Sequence, residues 1–238
     1  MQLQQLLFSQ GFGTRRICAG LVEQGHVLVD GEPVTDPGSE VDPQGLRFTV
    51  QGQPWAYHER AYVMLHKPAG YETSQRPSGW PSVYSLLPPP LRQRPNKLGS
   101  PGVQAVGRLD QDTTGLLLLS DDGAFIHRMS SPKRHVAKVY EATAKHPVED
   151  LLIRRLLEGV VLDDDPKPVR AAACERFGTH GLRLTLTEGK YHQVKRMVAA
   201  AGNRVERLHR SRIGGLDLPA DLAPGQWCWL SPEQLASL

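Results

Sequence analysis

The stretch AVGRLDQDTTGLLLLSDDG, residues 105–123, decides how this 238-residue chain is read. Apolar residues lead in, and GLLLLS (115–120) leads out as a continuous apolar run of strand length. Between them Gly107-Arg108-Leu109-Asp110 and Thr113-Thr114-Gly115 form a loop. A loop between two core elements holds a side chain rigidly at a surface cleft. Asp110 is therefore a candidate reactive carboxylate, with Arg108 close enough to favour its ionised form. The other reading is an Asp and a Thr closing a turn through local hydrogen bonds. Spacing alone leaves the two readings open.

Further along lies LTLTEGKYHQVKRMVAAAGNRVERLHRSRIGG, residues 184–215. A helix is expected over 191–201, stopped by Gly202-Asn203. At about 100° per residue, Val194, Met197, Val198 and Ala201 gather on one side and His192, Lys195 and Arg196 on the other. A solvated amphipathic face is the ordinary account of such a pattern. Here, however, residues 190–212 hold seven basic side chains against the single acid Glu206. A second basic run, His127-Arg128 through Lys133-Arg134-His135 to Lys138, contains no acid. Two such runs in a chain of net charge +3 favour a polyanionic partner. Within HVAKVYEATAK (135–145), KVYEATAK (138–145) alternates like a half-buried strand. Its Tyr140 is either a core aromatic or a stacking surface for an unpaired base.

Working outward, Thr14 caps a helix carrying Ile17, Leu21 and Val22 that ends at Gly25. HVLVDGEPV follows, and Asp30-Gly31 between apolar runs marks a two-residue hairpin. These segments make a small module over 1–55, and GQPWAYHER, around 52–60, reads as a linker to a larger domain over 60–238. In that domain AYVMLHKP is a buried strand stopped by Pro68. Residues 71–104, rich in Pro, Gly and Ser, are mostly irregular. LRLTLT (182–187) and QWCWL are further strands, with helices expected at 122–130 and 148–158. Ser231-Pro-Glu-Gln opens a last helix. Strands outnumber helices without alternating regularly, so the fold class is α+β with a largely antiparallel sheet.

Hydrophobic content of 39% excludes a disordered chain. No run approaches the roughly 20 apolar residues of a membrane helix, and MQLQQLLFSQG has neither a charged start nor a long apolar core, so no secretion signal is read. Cys18, Cys174 and Cys228 are scattered without a CxxC pair, which argues against a disulfide framework or a zinc site and suits a reducing cytoplasm.

The GRLDQDTTGLLLLSDDG and EGKYHQVKRM segments, with HKPAGY (66–71), SPKRHVAKVYEA (131–142), LHRSRIGG (208–215) and LAPGQW (222–227), resemble the pseudouridine synthases. The similarity is greatest to the RsuA type, which acts on small-subunit ribosomal RNA, and it runs from about residue 60 to the C-terminus. GTRRICAGLVEQGHVLVDGEPV resembles an S4-type RNA-binding domain. The resemblance implies a catalytic domain built on a long mixed, mostly antiparallel sheet with a central cleft. It implies a uridine of 16S ribosomal RNA or of an assembling small subunit as substrate, with uridine 516 the family's target, and no cofactor or metal. A monomer is the default. The family's aspartate falls on Asp110, its base-pocket tyrosine on Tyr140, and the basic partner of the aspartate on Lys195. Arg108 matches the arginine placed near the flipped-out nucleotide. Arg15 and Arg16 sit where S4 modules contact phosphate, and His192, Arg196, Arg210 and Arg212 are expected to contact RNA. The module itself is acidic, with three basic residues against six acidic ones over 1–55. A non-catalytic ribosome assembly factor and a synthase acting on large-subunit RNA remain the competing readings.

Overall fold

A computed structural model describes residues 1–238, which divide into two compact units. The first comprises 1–62 together with 87–104 and 119–123, and the second comprises 63–86, 105–118 and 124–238. No helix is long and apolar enough to cross a membrane.

In the first unit, helix Leu3–Gln10 ends at Gly11, whose φ of 90° only glycine adopts without strain. Any Cβ there would also lie 2.1 Å from the Pro90 carbonyl oxygen. Helix Arg15–Glu23 follows, and the Thr14 hydroxyl accepts from the Ile17 amide as expected of its cap. Cys18 and Val22 carry its buried face, while Ile17 is exposed. Strands Val27–Val29 and Glu32–Pro33 pair across Asp30 and Gly31, both at positive φ, as a type I′ hairpin requires. The four-stranded sheet is completed by Arg47–Val50 and Gln53–Ala56. The expected linker over 52–60 is thus corrected, because residues 53–56 are a strand. Gln51 and Gly52 take the same two positive-φ positions as Asp30 and Gly31. Gln51 lacks the short side chain that advertises such a turn in sequence. Leu3, Leu6, Leu7, Cys18, Val22, Val27, Phe48 and Val50 form the core.

Arg94 is fully buried in this unit. Its Nε donates to Asp121 Oδ2 at 2.7 Å, Nη1 to Gln10 Oε1 at 3.0 Å and Nη2 to the His58 carbonyl at 2.7 Å. The second oxygen of Asp121 accepts from the Ala61 amide at 2.8 Å. Arg94→Met strands a buried carboxylate, a loss of about 3–5 kcal/mol. It is expected to lower Tm by about 10 °C at the usual scaling for a chain of this size. A fall of less than about 2 °C in calorimetry would show that the pair holds nothing together.

The second unit is built on a nine-stranded sheet whose main path runs Ala173–Phe177, Gly181–Leu186, Lys138–Ala144, Val205–Ile213, Thr114–Ser120, Tyr62–Lys67 and Trp227–Trp229. Val205–Ile213 runs antiparallel to Lys138–Ala144 but parallel to Thr114–Ser120, so the sheet is mixed, as expected. Gly115 opposes Arg210 in the parallel pair, and a Cβ there would lie 2.2 Å from the Arg210 carbonyl oxygen. Helices Asp150–Glu158 and Gln193–Ala200 press Leu152, Leu156, Val194, Met197 and Val198 onto Ala142, Leu182, Leu184 and Leu208 of the strands. The last helix, Pro232–Ala236, has the full capping box read from Ser231 and Gln234.

Candidate active site

The loop 107–113 is held from below by backbone contacts rather than by its own turn alone. Thr113 N–H donates to the Asp110 carbonyl at 3.1 Å, the local closure that spacing allowed. The Thr73 hydroxyl donates to the Leu109 carbonyl at 2.9 Å, and Gly70 N–H donates to the Gln111 carbonyl at 2.8 Å. Lys67, the last residue of its strand, is fully buried. Its ammonium donates to the carbonyls of Pro68 at 3.0 Å, Gln111 at 3.1 Å and Thr113 at 2.8 Å. Three donors meet three acceptors, so a buried cation is satisfied entirely by backbone oxygens. Burial pushes its pKa down to about 8, against the opposing pull of Asp112 and Asp110.

On this platform Asp110 projects into a cleft of about 760 Å³ whose lining includes Arg108, Asp112, Tyr140, His192 and Lys195. The Asp110 side chain is 28% exposed. Its two oxygens lie 3.3 Å from His192 Nε2 and 3.3 Å from Lys195 Nζ. Both turn and cleft readings of this loop are therefore realised together. Lys195 makes its closest contacts elsewhere, at 2.6 and 2.9 Å to the two oxygens of Asp112. Burial works against charge on both partners. It is outweighed for Lys195 by the Asp112 hydrogen bond and the two carboxylate charges, which hold its pKa above the ordinary value. The same ammonium holds Asp112 below the ordinary carboxylate range. Lys195 thus bridges two carboxylates rather than pairing with Asp110 alone.

His192 was expected inside the helix. It instead precedes helix Gln193–Ala200 with φ 48° and ψ 34°. That left-handed residue turns the imidazole toward Asp110, and the Tyr191 ring stacks on it at 3.8 Å. Tyr140, from Lys138–Ala144, forms part of the cleft wall opposite Arg210 in the strand register. Arg108 is exposed at the cleft, and Arg15 and Arg16 are exposed at the start of their helix in the first unit.

Of the remaining basic side chains, Arg210 lines the cleft but is buried, and Arg196 and Arg212 lie outside it. Arg210 is only 2% exposed, with Nε donating to the Leu116 carbonyl at 2.8 Å and its guanidinium carbon 6.0 Å from the Tyr140 ring centre. It lines the cleft beside Tyr140, its cross-strand partner, but is almost wholly covered instead of presenting to solvent. Arg196 is bound by Asp164 and donates to the Tyr191 carbonyl, and Arg212 is bound by Asp217 at 2.5 Å. Neither lines the cleft. The sequence reading missed Lys67 and Thr73, and it weighed Asp112 as a second carboxylate beside Asp110 without its pairing to Lys195. The first was visible only as the HKP that stops a strand, because its acceptors are carbonyls, which leave no trace in sequence.

The arrangement is a carboxylate beside an ammonium and an imidazole, in a cleft of about 760 Å³ that an aromatic ring also lines. The profile of the RNA pseudouridylate synthase family matches residues 61–200, and that of the S4 domain matches residues 1–45. The chain is 40% identical to the ribosomal small subunit pseudouridine synthase A of Escherichia coli (strain K12), covering all of both chains. It is 39% identical to an uncharacterized RNA pseudouridine synthase of Bacillus subtilis, over 99% of this chain and 97% of that one. A crystal structure of a pseudouridylate synthase superimposes with a TM-score of 0.68 at 32% identity, covering 100% of this chain and 99% of the other. The protein belongs to the RNA pseudouridylate synthase family and carries an S4 domain at its N-terminal end.

Proposed function

We propose that this chain isomerises a single uridine of 16S ribosomal RNA, uridine 516, to pseudouridine. It acts as a monomer in the cytoplasm, on the free RNA or on an assembling small subunit, with an S4 module over 1–55 and a catalytic domain over 60–238. The observation that carries the proposal is Asp110, held 3.3 Å from both Lys195 and His192 in the cleft that Tyr140 lines. Full-length similarity to small-subunit synthases supports the choice of RNA.

The reaction breaks the C1′–N1 bond, turns the uracil, joins C5 to C1′ and releases the C5 proton to solvent while N1 takes up one in its place. Atoms and electrons balance without a co-reactant, so the proposal includes no cofactor and no metal. The base is reached only once unstacked, at a cost of a few kcal/mol, and Arg108 at the cleft holds the opened strand. Asp110 acts at the sugar, either by attack on C1′ or by removal of the C2′ proton, and both routes need the carboxylate ionised. Lys195 supplies the positive charge that favours that state. Tyr140 stacks on the uracil, with Arg210 bracing its ring. Arg15 and Arg16 of the S4 module contact phosphate. A two-carboxylate hydrolase needs one carboxyl protonated as acid. Asp112, the neighbour placed for that task, is held ionised by Lys195, which favours isomerisation.

The test uses transcripts of small- and large-subunit RNA carrying tritium at uracil C5. Release is expected from the small-subunit RNA, one equivalent per molecule, with the modified position mapped to uridine 516. Release from the large-subunit RNA alone would move the target. No release from naked RNA or from partly assembled small subunits, with binding intact, would establish a non-catalytic assembly factor instead.

A further inference from the structure

Trp80 lies outside the catalytic cluster and is 51% exposed, although tryptophan is usually among the most covered side chains. Its loop is not loose. Glu72 N–H donates to the Pro81 carbonyl at 2.9 Å, and Val83 N–H returns to the Glu72 carbonyl at 2.9 Å, closing the loop at its base. The Glu72 carboxylate fills the interior. One oxygen accepts from Gly79 N–H at 2.8 Å and Trp80 N–H at 3.0 Å, and the other from Ser78 N–H at 3.0 Å. These backbone donors hold Glu72 below the ordinary carboxylate range.

The loop is also tied to the catalytic machinery. Thr73 bonds Leu109, beside Asp110, and Gly70 bonds Gln111. The indole sits over Gly70, its Cε3 and Cζ3 atoms 3.9 Å from where a Cβ would stand. Glu72, Ser74, Arg76 and Ser78 line the same cleft as Asp110. An aromatic face is thus held in advance beside the reaction cleft, on a loop whose other side chains, the exposed cation Arg76 among them, line it.

We propose that Trp80 is a stacking shelf for an unpaired nucleotide adjoining the target uridine, held in place by Glu72 as a positioning residue. The inference rests on the RNA reading above and adds a contact to it. Flipping the target leaves its neighbours without a stacking partner. Single-stranded RNA is commonly gripped by stacking its bases on aromatic rings. Because the loop is already ordered, little freedom is lost on binding. Arg76 supplies charge for the phosphate of the same nucleotide.

The experiment uses the full chain and a ligated 16S transcript with 2-aminopurine placed in turn at each nucleotide flanking uridine 516. One position is expected to be quenched by the wild type and not by Trp80→Ala. Trp80→Ala should weaken RNA binding about five- to a hundredfold, the range for loss of one stacked base, with the loss falling on Kd and KM rather than kcat. Trp80→Phe restores most of the affinity. Glu72→Gln, which cannot accept all three N–H groups, should give a smaller loss at the same nucleotide. Identical quenching profiles for wild type and Trp80→Ala, with tritium released by both, would overturn the shelf and leave the function standing. A wild type that neither binds nor modifies the RNA would overturn both.

Discussion

Asp110→Asn yields a folded protein that releases no tritium from uracil C5, a loss of at least about 10³-fold on the scale of removing a principal catalytic group. The fold survives because Asp110 is partly exposed and Asn keeps its shape. Lys195 also keeps its two shortest contacts, both to Asp112. Asp112→Asn makes the necessary contrast. It frees Lys195 to engage Asp110 alone, so activity falls by about tenfold or less while the carboxylate at the sugar stays ionised. Circular dichroism, thermal unfolding and RNA binding should be near wild type for both variants. An Asp110→Asn protein with more than about 1% of wild-type release would remove Asp110 from the chemistry. An Asp112→Asn protein as inactive as Asp110→Asn would make the two carboxylates one functional unit.

What was legible in the sequence was whatever depends on local pattern. The alternating runs at 138–145 and 182–187, the Asp30-Gly31 turn and the Ser231 cap each appear where residue type alone placed them. Asp110, Tyr140, His192 and Lys195, separated by up to 85 residues, line one cleft. Motif resemblance brought them together, because no periodicity relates a loop, a strand and a helix start. Electrostatic partnership was hidden. A helical wheel put Lys195 on the right face but could not show Asp112 as its nearer anion. It also could not show that Asp164 and Asp217 already occupy Arg196 and Arg212. Charge counting treats every arginine as exposed, and Arg210 is buried beside Tyr140. The strand at 53–56 escaped because a Gln-Gly turn reaches the same positive φ as an Asp-Gly turn without its signature.

Lys67→Met is expected to cost about 10²-fold in kcat at neutral pH, although Lys67 touches no substrate. Its ammonium ties the carbonyls of Pro68, Gln111 and Thr113 together, two of them in the loop that carries Asp110. Methionine fills the volume but takes the ammonium from all three carbonyls; Gln111 keeps the Gly70 N–H, while those of Pro68 and Thr113 lose a partner, each worth about 1–3 kcal/mol when buried. Removing a buried charge offsets part of that loss. The net stability change is therefore smaller than the catalytic one, since displacement of a reactive group by about 1 Å suffices for a 10²-fold loss. The wild-type pH profile separates these effects. Burial lowers the Lys67 pKa to about 8, below the value of an exposed lysine. Between about pH 8 and the ordinary lysine range the unfolded chain binds the proton and the folded chain does not. This group alone therefore makes stability rise with pH across that window. Over the same window the amine keeps two donors for three carbonyls and the loop loses a positive charge beneath Asp110. The expected profile is a kcat that declines with an apparent pKa near 8 while Tm, followed at each pH, shows no matching fall. In Lys67→Met the alkaline limb is absent and activity is low throughout. A limb that persists in the variant, or a variant within about threefold of wild type, would show that the loop holds Asp110 without its buried lysine.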